Sequence, residues 1–251
     1  MARRPLPTDG APSAGVVIGV DLAAGRGVTA IATLQLVATP SAPTILTLRS
    51  LSHASDDDAI IAEVLRERPG VIALDAPLTL PAPVAAALAG RAPDPNASPY
   101  TRAAERDPIW SRLGVRPFPV SFLGGLTFRA IPLAARLHAV APVSQIIEVF
   151  PSSALVALGL RAPSTRGHAR RSKAAVEVRR AAHSALSRIV EGLSAPAKDE
   201  APLDADSLDA IAAALTAALF TLGATQIIGD QREGCIIMPS VDAAAHLGRA
   251  Q

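Results

Sequence analysis

A single cysteine, Cys235, in 251 residues leaves no partner for an internal disulfide and no ligand set for a cysteine-based zinc cluster, a composition that fits a reducing cytoplasm. Histidine is scarce as well. His53, His138, His168, His183 and His246 are scattered without HxxxH or HxH spacing, which argues against a histidine-built metal centre. Aromatic residues make up only 3% of the chain, so few rings are available to stack on unpaired bases, and this weighs against single-strand binding as the main task. Long apolar runs are missing too. The longest, Ile211 to Leu222, is interrupted by threonines and too short to span a bilayer, so no membrane partner is expected. The formal net charge is only +2, which excludes a polycation.

What is present is a compact composition, 49% hydrophobic and 18% charged, in a chain long enough to bury a substantial core. The opening MARRPLPTDGAPSAG carries two arginines but no apolar segment after them, so it reads as a loose tail and not as a signal peptide. The expected layout is a flexible tail over 1–14, a single domain over 15–240 with an insertion at about 78–142, and a C-terminal tail over 241–251. Charge is unevenly distributed. Between Arg161 and Arg188 eight basic residues face one acid, Glu177, whereas Glu191 to Asp209 carries six acids against Lys198. Two readings stay open: a solvated helix face, or an anionic substrate approached by arginines and a cation held by carboxylates.

The run from Gly15 to Asp21, GVVIGVD, is apolar and ends on an acid, the pattern of a buried central strand delivering one charge to a sheet edge. Taken alone, Asp21 reads equally as a turn former. Val28 to Val37 and Thr44 to Leu51 complete a three-strand antiparallel meander. Asp56, Asp57 and Asp58 then sit where a helix N-terminus favours negative charge, and the helix continues over Ala59 to Arg68. Beyond Pro69-Gly70, Val71 to Asp75 repeats the first pattern. A strand reached through a helix lies parallel to its neighbour, so Asp21 and Asp75 are expected at one carboxyl edge. Neighbouring carboxylates raise each other's proton affinity unless a cation joins them, and a divalent metal answers that need.

The insertion is read as a helix over Ala82 to Gly90, a polar loop, a helix over Thr101 to Leu113, a loop over Phe118 to Leu126 and a helix over Thr127 to Val140. Arg102 and Arg106, one turn apart, either face a phosphate backbone together or pair with Glu105 and Asp107. Ser144 to Phe150 is a third core strand that holds Glu148 among apolar residues, as a site residue or turned outward by alternation. After a helix over Ser152 to Leu160, a basic loop containing Arg170 and Arg171 leads into a helix over Lys173 to Glu191. The last helix, Leu203 to Leu222, opens with Asp204, Asp206 and Asp209. Capping explains one of the first two, but Asp209 lies a turn further in, on the face of Asp206. Strands over Gln226 to Ile228 and Gly234 to Met238 close the domain.

Acids ending two strands, a glutamate in a later strand and an Asp-x-x-Asp pair on the final helix together resemble the ribonuclease H-like superfamily. The run DSLDAIAAAL resembles the last helix of RuvC-type Holliday-junction resolvases. From GVDLA through ALDAPL, the Arg102 to Glu105 segment, IEVFPS, Lys173 and LDAIAAALTA to GDQREGCIIMP, the chain looks like Domain of Unknown Function 429, a family of predicted ribonuclease H-fold nucleases. The resemblance implies an α/β fold with a mixed sheet, a meander plus parallel strands flanked by helices. It further implies a nucleic-acid partner and one or two magnesium or manganese ions on Asp21, Asp75 and Asp209, with Asp206 and Glu148 as further ligands or supporting groups. RuvC-type enzymes carry glutamate where Asp75 falls, so a shorter reach must serve there. Lys173 would orient water or offset charge, and Arg102, Glu105, Arg170 and Arg171 would serve substrate binding. Two other classes are compatible with the fold: a non-catalytic binding protein, and an actin-like phosphotransferase, of whose phosphate loop GVDLAAGRGVTA is a faint version.

Overall fold

The computed structural model describes residues 13–25, 27–39, 42–160, 172–230 and 232–248. Most of the expected N-terminal tail, and the basic-loop residues Arg170 and Arg171, lie outside these residues.

The first apolar run forms β1 (Ser13–Asp21), which pairs antiparallel with β2 (Thr29–Thr39), and β2 pairs antiparallel with β3 (Ala42–Ala54). This is the expected meander. Helix α1 (Asp57–Glu67) starts where the Asp56 carboxylate accepts from Ala59 N at 2.9 Å, with Asp57 and Asp58 in its first turn, so the aspartate triplet serves helix initiation. Arg68 ends it in the left-handed region, at φ 49°. The chain then enters β4 (Val71–Leu74), parallel to β1 with Val20 opposite Leu74. β5 (Gln145–Val149) lies parallel to β4, and β8 (Gly234–Pro239) parallel to β5. β7 (Thr225–Asp230) closes that side antiparallel to β8, and the two-residue β6 (Val190–Glu191) lies parallel to β3 on the other edge. The sheet order is β6-β3-β2-β1-β4-β5-β8-β7, the expected α/β mixed sheet of a meander plus parallel strands.

Strand alternation divides the core between the two faces. Val17, Val71, Ala73, Ile147 and Val149 pack with α6 (Pro151–Ala157), α7 (Lys173–Leu186) and α8 (Ala205–Thr221). Ile18, Val20, Ile72 and Leu74 pack under α1 and α5 (Gly124–Val140). Helix α8 is buried at every position from Ser207 to Leu219. Full burial of its Leu208, Ile211, Leu215 and Leu219 stabilises the fold by ~1.5–3 kcal/mol each. The helix rests directly on β1. A Cβ at Gly19 would run into the backbone of Ala210 and Ala214 and lie 2.8 Å from Ala213 C, so glycine in the strand and alanines in the helix together permit the close approach.

Between β4 and β5 the chain forms α2 (Ala82–Leu88), α3 (Ala103–Arg106), α4 (Ile109–Leu113) and then α5. The single helix expected over 101–113 is two short ones. Pro108 disfavours helical backbone at the residue before it, and Asp107 is extended at ψ 132°. The loop expected over 118–126 is mostly helical, a 3-10 turn over Val120–Leu123 running into α5. The helix expected to run to Glu191 stops at Leu186, and Val190 and Glu191 join the sheet. Residues 241–248, expected as a tail, hold the buried Ala243, and Gly248 N donates to Thr44 O at 2.9 Å.

The helical stretch Val120–Val140 is, by length and composition, apolar enough to cross a membrane. Here it packs as a layer of the fold. Thr127, Ala130, Leu133 and Leu137 are buried, Arg129 pairs with Asp57 at 2.8 Å, and Arg136 pairs with Asp58.

Candidate functional site

Asp21 is the last residue of β1, and Asp75 follows β4 directly. Asp75 N donates to Val20 O at 2.9 Å, so the parallel ladder continues to the two acids and sets them side by side. Alternation then fixes their direction. Asp21 shares the side of Val17 and Gly19, and Asp75 that of Val71 and Ala73, both facing α8. On α8, Asp204 is the N-cap, its carboxylate accepting from Ser207 N at 2.7 Å. Capping is therefore assigned to Asp204, and Asp206 and the buried Asp209 project from the next positions.

Asp21, Asp75, Glu148, Asp206 and Asp209 all line one cavity of about 650 Å³ at the carboxyl edge of the sheet. Crowding has an electrostatic consequence. Burial first, then the charges of Asp21, Asp209 and Glu148, push the proton affinity of Asp75 well above the ordinary carboxylate range. Three acids from three elements thus act on one another through Asp75.

Glu148 stands differently. It has the opposite strand parity and points toward the insertion, where Arg102 donates to both its oxygens, Nη1 to Oε2 at 2.8 Å and Nη2 to Oε1. Leu78 N adds a bond to Oε2 at 2.9 Å. Burial raises the proton affinity of Glu148, and Arg102 pulls it back only in part. Arg102 is itself only 1% exposed. Its Nε donates to Glu105 Oε1 at 2.7 Å and its Nη1 to Thr79 Oγ1 at 2.7 Å. Burial opposes its charge, but Glu148 and then Glu105 more than offset this and hold its affinity for the proton above the ordinary value. Of the two readings of Arg102, the pairing within its own helix is the one found, and the guanidinium is directed inward. Arg106 also turns to protein, pairing with Glu233 at 3.3 Å.

Glu233, Thr79 and Gly234 extend this network and carry no motif that would single them out in sequence. The buried Glu233 accepts from Ala82 N at 2.9 Å and Ala103 N at 2.6 Å, so one carboxylate caps the starts of both α2 and α3. Its carbonyl accepts from Thr79 Oγ1. At Gly234 φ is +89° and a side chain would collide with Thr79, so the β7-β8 hairpin meets the insertion without space to spare. Lys173 is exposed in the first turn of α7 and does not line the cavity.

The donor chemistry fits a hard divalent cation, since Asp21, Asp75, Asp206 and Asp209 offer carboxylate oxygens whose mutual repulsion such an ion would relieve. Among the described residues, no three acidic, histidine or cysteine side chains stand close enough to grip an ion in their present positions. A bound ion would draw the carboxylate side chains toward it without moving the elements that carry them.

Residues 19–233 match the model of a family described as Protein of unknown function (DUF429). No curated protein matches the chain. Solved structures similar to it include two of RuvC. The Thermus thermophilus RuvC structure is 16% identical at a TM-score of 0.40, over 83% of this chain and 96% of that one. T. thermophilus RuvC in complex with Holliday junction substrate is 14% identical at a TM-score of 0.41, over the same shares.

Proposed function

We propose that this chain, which belongs to the family described as Protein of unknown function (DUF429), is a metal-dependent nuclease that hydrolyses phosphodiester bonds in DNA or RNA. One observation carries the reading: Asp21, Asp75 and Asp209, delivered by β1, the end of β4 and α8, converge on one cavity closely enough to perturb Asp75. In this reading Asp21, Asp75 and Asp209 hold one or two magnesium or manganese ions, and Asp206 adds a ligand or orients one. A bound ion supplies a Lewis acid for the phosphoryl oxygens and a water of lowered pKa.

The chain does the rest. Val115, Leu126 and Phe150 give the cavity an apolar wall beside its carboxylates' charge. Glu148 and Arg102 act as positioning residues, tying the segment after Asp75 to α3 through Leu78 and Thr79. Arg170 and Arg171 are assigned to flanking phosphates, and Lys173, which does not line the cavity, to offsetting charge.

Calorimetric titration of Mn²⁺ into the wild type, Asp21→Asn and Asp209→Asn tests the site, followed by cleavage assays on labelled DNA and RNA. Saturable binding weakened at least tenfold by either change, with loss of cleavage, is expected. Binding indifferent to both changes, or none with nucleic acid present, refutes the metal site and leaves a fold member that binds without cutting.

A further inference from the structure

The chain has seven aromatic residues, and four of them are exposed within one stretch of the insertion: Tyr100 (66%), Phe118 (42%), Phe122 (80%) and Phe128 (65%). The few aromatic residues are thus mostly exposed ones on the insertion. Phe118 itself lines the carboxylate cavity. Two residues before it stands Arg116, exposed and also in the cavity wall. Besides Arg102, which is committed to two glutamates, Arg116 is the one cation in that wall among the described residues. No ion pair or hydrogen bond engages its side chain among the described residues.

The segment that presents these two side chains is held in place. Its sequence is Val-Arg-Pro-Phe-Pro over 115–119, and Pro117 and Pro119 fix φ on either side of Phe118. Pro117 and Val120 are buried and anchor the loop, while Arg116 and Phe118, on either side of Pro117, are exposed. Val115 N donates to Trp110 O at 3.2 Å, and Ser121 N to Tyr100 O at 3.3 Å. The buried Trp110 bonds Ala104 O at 2.7 Å and meets Phe150 edge-on at 5.7 Å. A large ring held rigidly in solvent, on the rim of a cavity of carboxylates and beside an uncommitted guanidinium, matches a nucleotide's chemistry: a flat apolar base next to an anion.

The geometry points to a reading lip made of Arg116 and Phe118, which selects strands with an unpaired base: Phe118 stacks on that base, and Arg116 takes a phosphate beside the one presented to Asp21, Asp75 and Asp209. This rests on the nuclease reading and gives it a substrate class. A continuous duplex keeps its bases stacked inside, out of the ring's reach, so discrimination follows from stacking and not from sequence. Arg116 adds attraction without base preference.

The test is fluorescence anisotropy in EDTA, where binding is measured apart from cleavage. The probes are a labelled single-stranded oligonucleotide, the same strand with abasic sites, and a blunt duplex. Wild type is expected to bind the intact single strand more tightly than the duplex. Phe118→Leu should weaken the intact strand about tenfold and leave the abasic strand unchanged. Arg116→Gln should weaken intact and abasic strands alike and flatten the dependence of log affinity on log salt by about 0.7. Circular dichroism melts equal to wild type show that the variants fold. Equal loss on intact and abasic strands, no loss with Phe118→Leu, or a fall in mass by light scattering that marks Phe118 as a contact between copies would each overturn the lip. Base-dependent binding without Mn²⁺-dependent cleavage sinks the nuclease reading and spares the lip. Cleavage indifferent to Phe118→Leu does the reverse.

Discussion

Replacing Arg102 by Met separates two roles that sequence left equally open. If Arg102 were a surface cation for phosphates, its loss would lower substrate affinity and leave the fold untouched. Its burial predicts the opposite. The change leaves Glu148 and Glu105 facing each other without a cation, and withdraws a donor from Thr79. Removing one partner of a buried pair costs about 3–5 kcal/mol. In a chain of this size ~1 kcal/mol shifts the melting temperature by ~2–4 °C, so a fall of roughly 6–20 °C is expected. The pH dependence follows from the charge left behind. Arg102 lowers the proton affinity of Glu148, so without it the folded-state value rises further above the unfolded one. A carboxyl raised in the folded state favours the protonated fold, so the deficit is full above the raised value and shrinks as pH falls through it. Melts of Arg102→Met at pH 8 and pH 5 should therefore differ from wild type more at pH 8. Glu148→Gln keeps an acceptor and leaves Glu105 to balance Arg102, and should cost less. A melting temperature within 2 °C of wild type at pH 8, or a deficit that grows on acidification, would refute the buried-lock account.

Two further outcomes test the frame around the site. Gly19→Ala should destabilise by at least the ~1–3 kcal/mol of core overpacking, because the obstacles are backbone atoms of Ala210, Ala213 and Ala214; a shifted α8 should also weaken Mn²⁺ binding in calorimetry, and an unchanged melt would place the helix further from β1. Asp75→Asn removes a carboxylate whose folded-state proton affinity is raised, so its ionised form is a liability that grows as pH climbs from the ordinary carboxylate range through the raised value. In EDTA this variant should melt above wild type at pH 8, the gap should close toward pH 4, and Mn²⁺ should reverse the order; equal melts at pH 8 would mean that neither burial nor the three neighbouring acids raise the proton affinity of Asp75.

The legible part of this fold is the part written in single strands and helices. Val-Val-Ile-Gly-Val-Asp and Val-Ile-Ala-Leu-Asp each end an apolar run on a charge, and a parallel pairing through α1 brings the two ends together, as the register of Val20 with Leu74 confirms. Asp204, Asp206 and Asp209 are sorted by helix position alone. The break at Asp107 is also written locally, in Pro108, but the helical spacing on either side hides it. What no local pattern reveals is pairing across distance. Glu148 is 46 residues from Arg102, and Glu233 is 130 from the helix start it caps. An arginine on a short helix and a glutamate in a hairpin turn have ordinary surface explanations until tertiary structure buries them. Composition is silent on a further point: a low total of aromatic residues says nothing of their placement, and four of the seven are exposed on the insertion.

The two sides of the sheet carry different duties and meet at one edge. Asp21 ends β1, Asp75 directly follows β4, and Asp209 and Asp206 stand on a helix whose core is buried against β1, so the acids are carried by rigid elements. Arg116 and Phe118 stand on a loop of the insertion, where change in sequence or length costs the core little. The Arg102–Glu148 pair joins the two parts, because it fixes α3 to β5 at the very edge where the acids emerge. Altering the 115–119 loop should therefore change which strands are accepted while leaving the carboxylates in place, whereas altering Arg102 should disturb both together.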